Sequence, residues 1–76
     1  MPRIIPIHYR KLVKVFEKDG WKFHHQTGSH IHFVKPGFER PITIPTYKLV
    51  PIFIIKNNME TAKMSRARYL ELLQKV

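Results

Sequence analysis

The stretch from Trp21 to Phe33 constrains the fold more than any other. It places alternating apolar residues on both sides of Thr27-Gly28-Ser29. Gly28 accepts the positive φ that a tight hairpin demands. Downstream of it, Ile31 and Phe33 alternate with His30 and His32, the period of a half-buried strand. Upstream, Trp21, Phe23 and His25 alternate with Lys22, His24 and Gln26. A three-residue loop, Thr27 to Ser29, sets Gln26 against His30 and Phe23 against Phe33. Trp21, Phe23, Ile31 and Phe33 then share a buried face, and Lys22, His24, Gln26, His30 and His32 share the other. A two- or four-residue loop would mix the faces, and a bulge would shift the register.

Around this hairpin the other elements follow in order. Pro2 and Pro6 keep residues 1–6 extended. A first helix runs from about Ile7 to Asp19, with Tyr9, Leu12, Val13 and Phe16 as its apolar stripe. Gly20 ends it as the residue after the C-cap. Lys35-Pro36-Gly37 marks a turn. Ile42-Thr43-Ile44 is a third strand, placed at a sheet edge by Pro41 and Pro45. A second helix begins near Pro51, with Ile52, Ile55, Met59 and Ala62 at helical spacing, although Ile52 to Ile55 is also strand-like and Asn57-Asn58 favours helix weakly. Ser65 caps a last helix, Arg66 to Lys75, with Tyr69, Leu72, Leu73 and Val76 inward. The expectation is a single α+β domain over residues 1–76: a three-stranded antiparallel sheet with helices on one face, in the order α-β-β-β-α plus a short C-terminal α. The histidines lie on the other face.

Composition narrows the function. The 76 residues contain no cysteine, which excludes a disulfide framework and a thiolate metal site. The longest apolar run, Leu49 to Ile55, is too short for a membrane span and contains Pro51. The N-terminal apolar stretch is too short for a signal peptide, so a cytoplasmic location is expected. Fourteen Lys and Arg against five Asp and Glu leave a net charge of +9. Such an excess points to a polyanion, most often nucleic acid.

An amphipathic helix, Gly20-Trp21, Gln26-x-Gly28-Ser29-His30, Ile42-Thr43-Ile44-Pro45 and a terminal helical pair together resemble the HicA toxin family. The resemblance spans about Ile7 to Leu73. It implies a double-stranded-RNA-binding-like fold and a metal-independent endoribonuclease that cleaves mRNA, needs no cofactor and pairs with a HicB-like antitoxin. The family's catalytic histidine maps onto His30, and Gly28 and Ser29 map onto its turn. After Pro45 this chain has only Thr46-Tyr47-Lys48 where the family is usually longer.

The residues suit that chemistry. Histidine titrates near neutral pH and so takes or gives a proton at working pH. Backbone N–H groups around Gly28 and Ser29 can approach a phosphate closely. Lys22 shares the histidine face, Lys35 sits in the next turn, and Arg10 and Lys14 line the first helix, so these four are the expected RNA-binding cations. Tyr47, in a loop, is available to stack on a base. Two other readings use the same residues. One is a non-catalytic RNA-binding module of the same fold. The other is a zinc site built from His24, His30 and His32.

Overall fold

The computed structural model describes residues 3–76. The extended lead-in expected at residues 1–6 includes Met1 and Pro2, which lie outside the described residues. The elements are α1 (Tyr9–Lys18), β1 (Lys22–Thr27), β2 (His30–Val34), β3 (Ile42–Pro45), α2 (Ile52–Thr61) and α3 (Arg66–Gln74). The sheet is antiparallel, in the order β1-β2-β3. This is the expected α+β arrangement with β3 at an edge. Among the described residues no helix is long and apolar enough to cross a membrane.

α1 starts two residues later than its periodicity suggests. Ile7 is buried and bridges to Val50 instead, whose N–H donates to the Ile7 carbonyl at 2.7 Å. His8 becomes the N-cap, its ring accepting from the Arg10 N–H. Leu12, Val15 and Phe16 are buried, while Tyr9 and Val13 pack at the margin. At the other end Gly20 has φ 98°, its N–H donates to the Glu17 carbonyl, and the Trp21 N–H reaches back to Phe16. That pair of bonds is a Schellman motif, which needs the left-handed conformation glycine allows. It turns the chain so that Trp21 enters the core directly above Phe16, both almost fully buried.

The hairpin departs from expectation in one instructive way. Its loop has two residues, Gly28 and Ser29, with Thr27 opposite His30. Gly28 has φ 58° and comes first, the pattern of a type II′ turn. One residue further in, Gln26 faces Ile31 rather than His30, and His25 faces His32. A bulge at His24 then restores Phe23 to its expected place opposite Phe33. His25 therefore joins Lys22, His30 and His32 on the histidine face, and Gln26 leaves it.

Phe33, Ile42 and Ile44 are buried in one core with Tyr69 and Leu72, where α1 packs on β3 and α3 packs on α1. Phe23 is 59% exposed, against expectation. β1 is the edge strand that no helix covers, so Phe23 meets only the Phe33 ring, edge-on at 6.2 Å. α2 packs against β3 through Ile55, Met59 and Ala62. Ile52, expected on that stripe, is more than a third exposed at the first turn. Ser65 caps α3 as expected, its hydroxyl accepting from the Arg68 N–H at 3.0 Å.

Candidate active site

His30 opens β2 immediately after the turn. Its cross-strand neighbours are Thr27 on β1 and Pro45 on β3. The turn is held from both sides. Gln26 Nε2 donates to the Gly28 carbonyl at 2.9 Å, and the Thr46 N–H donates to the Ser29 carbonyl at 2.8 Å. The backbone beneath His30 is thus fixed, while its imidazole is exposed and bonds to no other described residue. The ring lines a cleft of about 230 Å³. Thr43 and Pro45 of β3 form its floor with His30, Tyr47 bounds one side, and Ile54, Asn57 and Asn58 of α2 form the far wall. The histidine face of the sheet is therefore open over β1 and bounded by α2 at the β3 edge.

Asn58 gives this cleft its chemical character. It is only 6% exposed, and its Nδ2 finds no acceptor among the described residues. A buried donor left without a partner costs about 1–3 kcal/mol, and native chains rarely retain one without reason. The Trp21 Nε1 and the Tyr69 hydroxyl, neither of which lines this cleft, are likewise buried without a partner among the described residues.

A family model described as the HicA toxin of bacterial toxin–antitoxin systems matches residues 9–64. The chain belongs to the HicA toxin family. The match runs from the start of α1 past the end of α2, so His30, Tyr47 and Asn58 all fall inside it and α3 lies beyond. No significant match was found among curated proteins. Membership makes the chain a toxin of a toxin–antitoxin pair, with an antitoxin as its partner.

Three of the toxin's other histidines, His24, His25 and His32, form a row on the sheet. His24 Nδ1 lies 2.7 Å from His25 Nδ1, the His25 ring stacks on His32 at 4.4 Å, and His32 Nδ1 bonds the Thr43 hydroxyl at 2.9 Å. Partial desolvation, then the nearby charges of His32 and His24, hold the His25 pKa below the ordinary imidazole value. His24 turns to His25 rather than His30, so the three-imidazole zinc set is not assembled. Among the described residues no three His, Cys, Asp or Glu side chains are placed to hold a metal ion.

The cations expected to bind RNA scatter. Lys22 shares the His30 face but pairs with Val34, four positions along β2 from His30. At the rise of a strand that is about 13 Å, too far for both to hold one phosphate. Lys35 is ion-paired to Asp19 at 3.6 Å, and its ammonium sits 5.3 Å from the Phe38 ring centre. Arg10 bonds the neighbouring Tyr9 hydroxyl. Tyr9 in turn ties α1 to the cleft rim, its N–H donating to the Tyr47 carbonyl at 3.1 Å. Lys14 lines a separate cleft with Glu17, Lys18 and the C-terminal Lys75 and Val76. Gly28 and Ser29 do lie beside His30, and Tyr47 does line its cleft.

Sequence reasoning passed over Thr43, Ile54, Asn57 and Asn58. A signal for Asn58 was there. It falls three residues after Ile55 and four before Ala62, on the buried stripe of α2, where a polar side chain is out of place.

Proposed function

We propose that this toxin is a metal-independent endoribonuclease acting on mRNA, with His30 as its proton-transfer residue. The observation that carries the reading is an exposed imidazole, without a partner among the described residues, on a small cleft that Asn58 also lines. RNA bears the chemistry that both groups lack. The ribose 2′-OH loses its proton to His30 and its oxygen attacks the adjacent phosphorus. The bond from phosphorus to the 5′-oxygen breaks, and a proton passes to that leaving oxygen. The products are a 2′,3′-cyclic phosphate and a 5′-hydroxyl. Negative charge grows on the phosphoryl oxygens during attack, and an amide donor positioned beforehand stabilises it. Asn58 supplies such a donor, with backbone N–H groups near Gly28 beside it. Tyr47 gives a flat surface at the rim on which a base can stack.

The net charge of +9 brings RNA to the face. It also suits an acidic HicB-like antitoxin that covers the His30 cleft and stops cleavage. Both partners place the toxin in the cytoplasm, where mRNA is found.

The test is end-group analysis of RNA incubated with the purified toxin. Cleavage should persist in EDTA, leave cyclic phosphate and 5′-hydroxyl ends, and stop at a position carrying a single 2′-deoxy substitution. Binding without cleavage under these conditions would instead identify a non-catalytic RNA-binding module.

A further inference from the structure

The groove at His30 does not end at α2. Asn57 lines the His30 cleft and also a second, larger one of about 580 Å³, completed by Arg40, Glu60, Thr61 and Lys63. That volume falls within the usual range for small-molecule sites, about 300–1,000 Å³. Arg40 comes from the loop between β2 and β3, and the others from the second half of α2 and the residue just beyond it.

Two features bear on what this cleft can hold, the first of them shared with other cations such as Lys22 and Lys48. First, its charges are not used by the fold. Arg40, Lys63 and Glu60 form no ion pair among the described residues, whereas Lys35 and Arg68 are both tied to Asp19. Second, Lys63 has φ 53°, the only positive φ outside glycine among the described residues. A residue following a helix in this conformation is usually glycine, because a side chain makes the left-handed region costly. The position closes a Schellman cap on α2, the Lys63 N–H donating to the Glu60 carbonyl and the Met64 N–H to the Met59 carbonyl, so glycine would serve the backbone and the lysine adds only its side chain.

We infer that the second cleft is a nucleotide subsite, resting on the RNA-cleaving reading of His30. It takes the nucleotide next to the one whose phosphate reaches His30. Arg40 and Lys63 hold its phosphate, and Asn57 and Glu60 face its base edge. The mixed lining favours RNA over an acidic peptide. A peptide carboxylate would meet the Glu60 carboxylate with like charge, whereas a nucleotide brings an anion for the two cations together with base amino groups for the carboxylate and amide. Asn57, shared by both clefts, marks where the strand passes from one to the other.

The probe is a fluorescent 2′-O-methyl RNA 12-mer, which lacks the attacking hydroxyl, titrated by anisotropy over a range of salt. A 2′-O-methyl dinucleotide is titrated beside it as a competitor. The test variant is Arg40→Gln with Lys63→Gly. The glycine suits the backbone better than lysine, so folding is preserved. The control, Lys11→Gln with Lys18→Gln, removes the same charge from α1. The test variant should bind the 12-mer at least tenfold more weakly. Its log–log salt slope should shrink by about 0.7, one phosphate contact on a single strand. Dinucleotide affinity should stay unchanged, and the control should lose far less. Equal losses in test and control, or a test variant that binds like wild type, overturn the subsite while leaving RNA cleavage at His30 intact. A test variant that keeps RNA but loses an acidic peptide such as oligoglutamate reassigns the cleft to a protein partner and also overturns it. A wild-type toxin that neither binds the 12-mer nor cleaves RNA removes the His30 reading and the subsite with it.

Discussion

The two ends of the β-hairpin make opposite use of similar residues. At the end far from the turn, the charged groups are paired off, although the buried Trp21 Nε1 has no partner among the described residues. Asp19 accepts from Arg68 at 3.3 Å and lies 3.6 Å from Lys35, and Trp21 packs on Phe38 at 5.0 Å beneath them. These contacts pin the end of α1, the loop after β2 and the start of α3 to one carboxylate. At the turn end, the His30 imidazole and the Asn58 Nδ2 have no partner among the described residues. Charge alone therefore does not separate a binding residue from a structural one. Lys35 looked like an RNA contact because it is basic and close to the hairpin, yet its charge is spent inside the fold. The useful criterion is which polar groups the folded chain leaves unsatisfied.

The largest expected effect comes from the turn end. His30→Ala should lower RNA cleavage by about 10²–10⁴-fold, the usual contribution of a proton-transfer residue. The melting temperature should not change, because the imidazole touches nothing. Cleavage retained within threefold would remove His30 from the chemistry. Asn58→Leu should come next, with a loss of about 10²-fold if its amide stabilises the developing phosphoryl charge. Its stability should move the other way. Leucine is close in size and leaves no buried donor unpaired, so the variant should be at least as stable as wild type. Chemical denaturation beside a cleavage assay shows both at once. Falling stability with intact cleavage would make Asn58 a packing residue only.

Asp19→Ala should invert that signature. It releases Lys35 and Arg68 together from a carboxylate that is mostly buried. Partly exposed pairs contribute about 0.2–1 kcal/mol each, so a loss of about 1–2 kcal/mol is expected in a urea titration. Cleavage should hold. If Asp19→Ala instead abolished cleavage while stability held, the two ends would not be separable in the way described here.

The same contrast explains what was legible beforehand. Gly20, Pro51 and Ser65 each mark a helix boundary by local backbone chemistry, and each boundary lies within a residue of its mark. The hairpin register was harder for a definite reason. A three-residue loop, and a two-residue loop followed by a one-residue bulge, place the same inner residues opposite each other. Phe23 faces Phe33 in both cases, so the apolar pattern cannot choose between them. Only His24, His25, Gln26 and Thr27 differ, and polar residues on an exposed strand carry no burial signal. Phe23 failed for a tertiary reason, since alternation assigns a face but not whether a helix covers it. His30 was legible from the Gly-Ser-His turn and the family resemblance. The opposite wall was not, because it depends on α2 docking at the β3 edge, and Asn57-Asn58 registered only as weak helix formers.

The smallest expected effect tests the boundary between the two ends. His25, stacked between His24 and His32, has its pKa held below the ordinary value by partial desolvation and by those neighbours. Between the folded value and the unfolded one, about 6.5, the unfolded chain binds more protons than the folded one. Stability therefore rises with pH across that window and falls as acid protonates the row. Melting temperature should decline from pH 7.5 toward pH 5, and His25→Gln should flatten the decline by removing the middle ring. Because the row reaches the cleft through the His32–Thr43 bond, cleavage by His25→Gln should also lose part of its acid sensitivity. An unchanged melting profile in His25→Gln would show that His25 contributes no acid sensitivity to the fold.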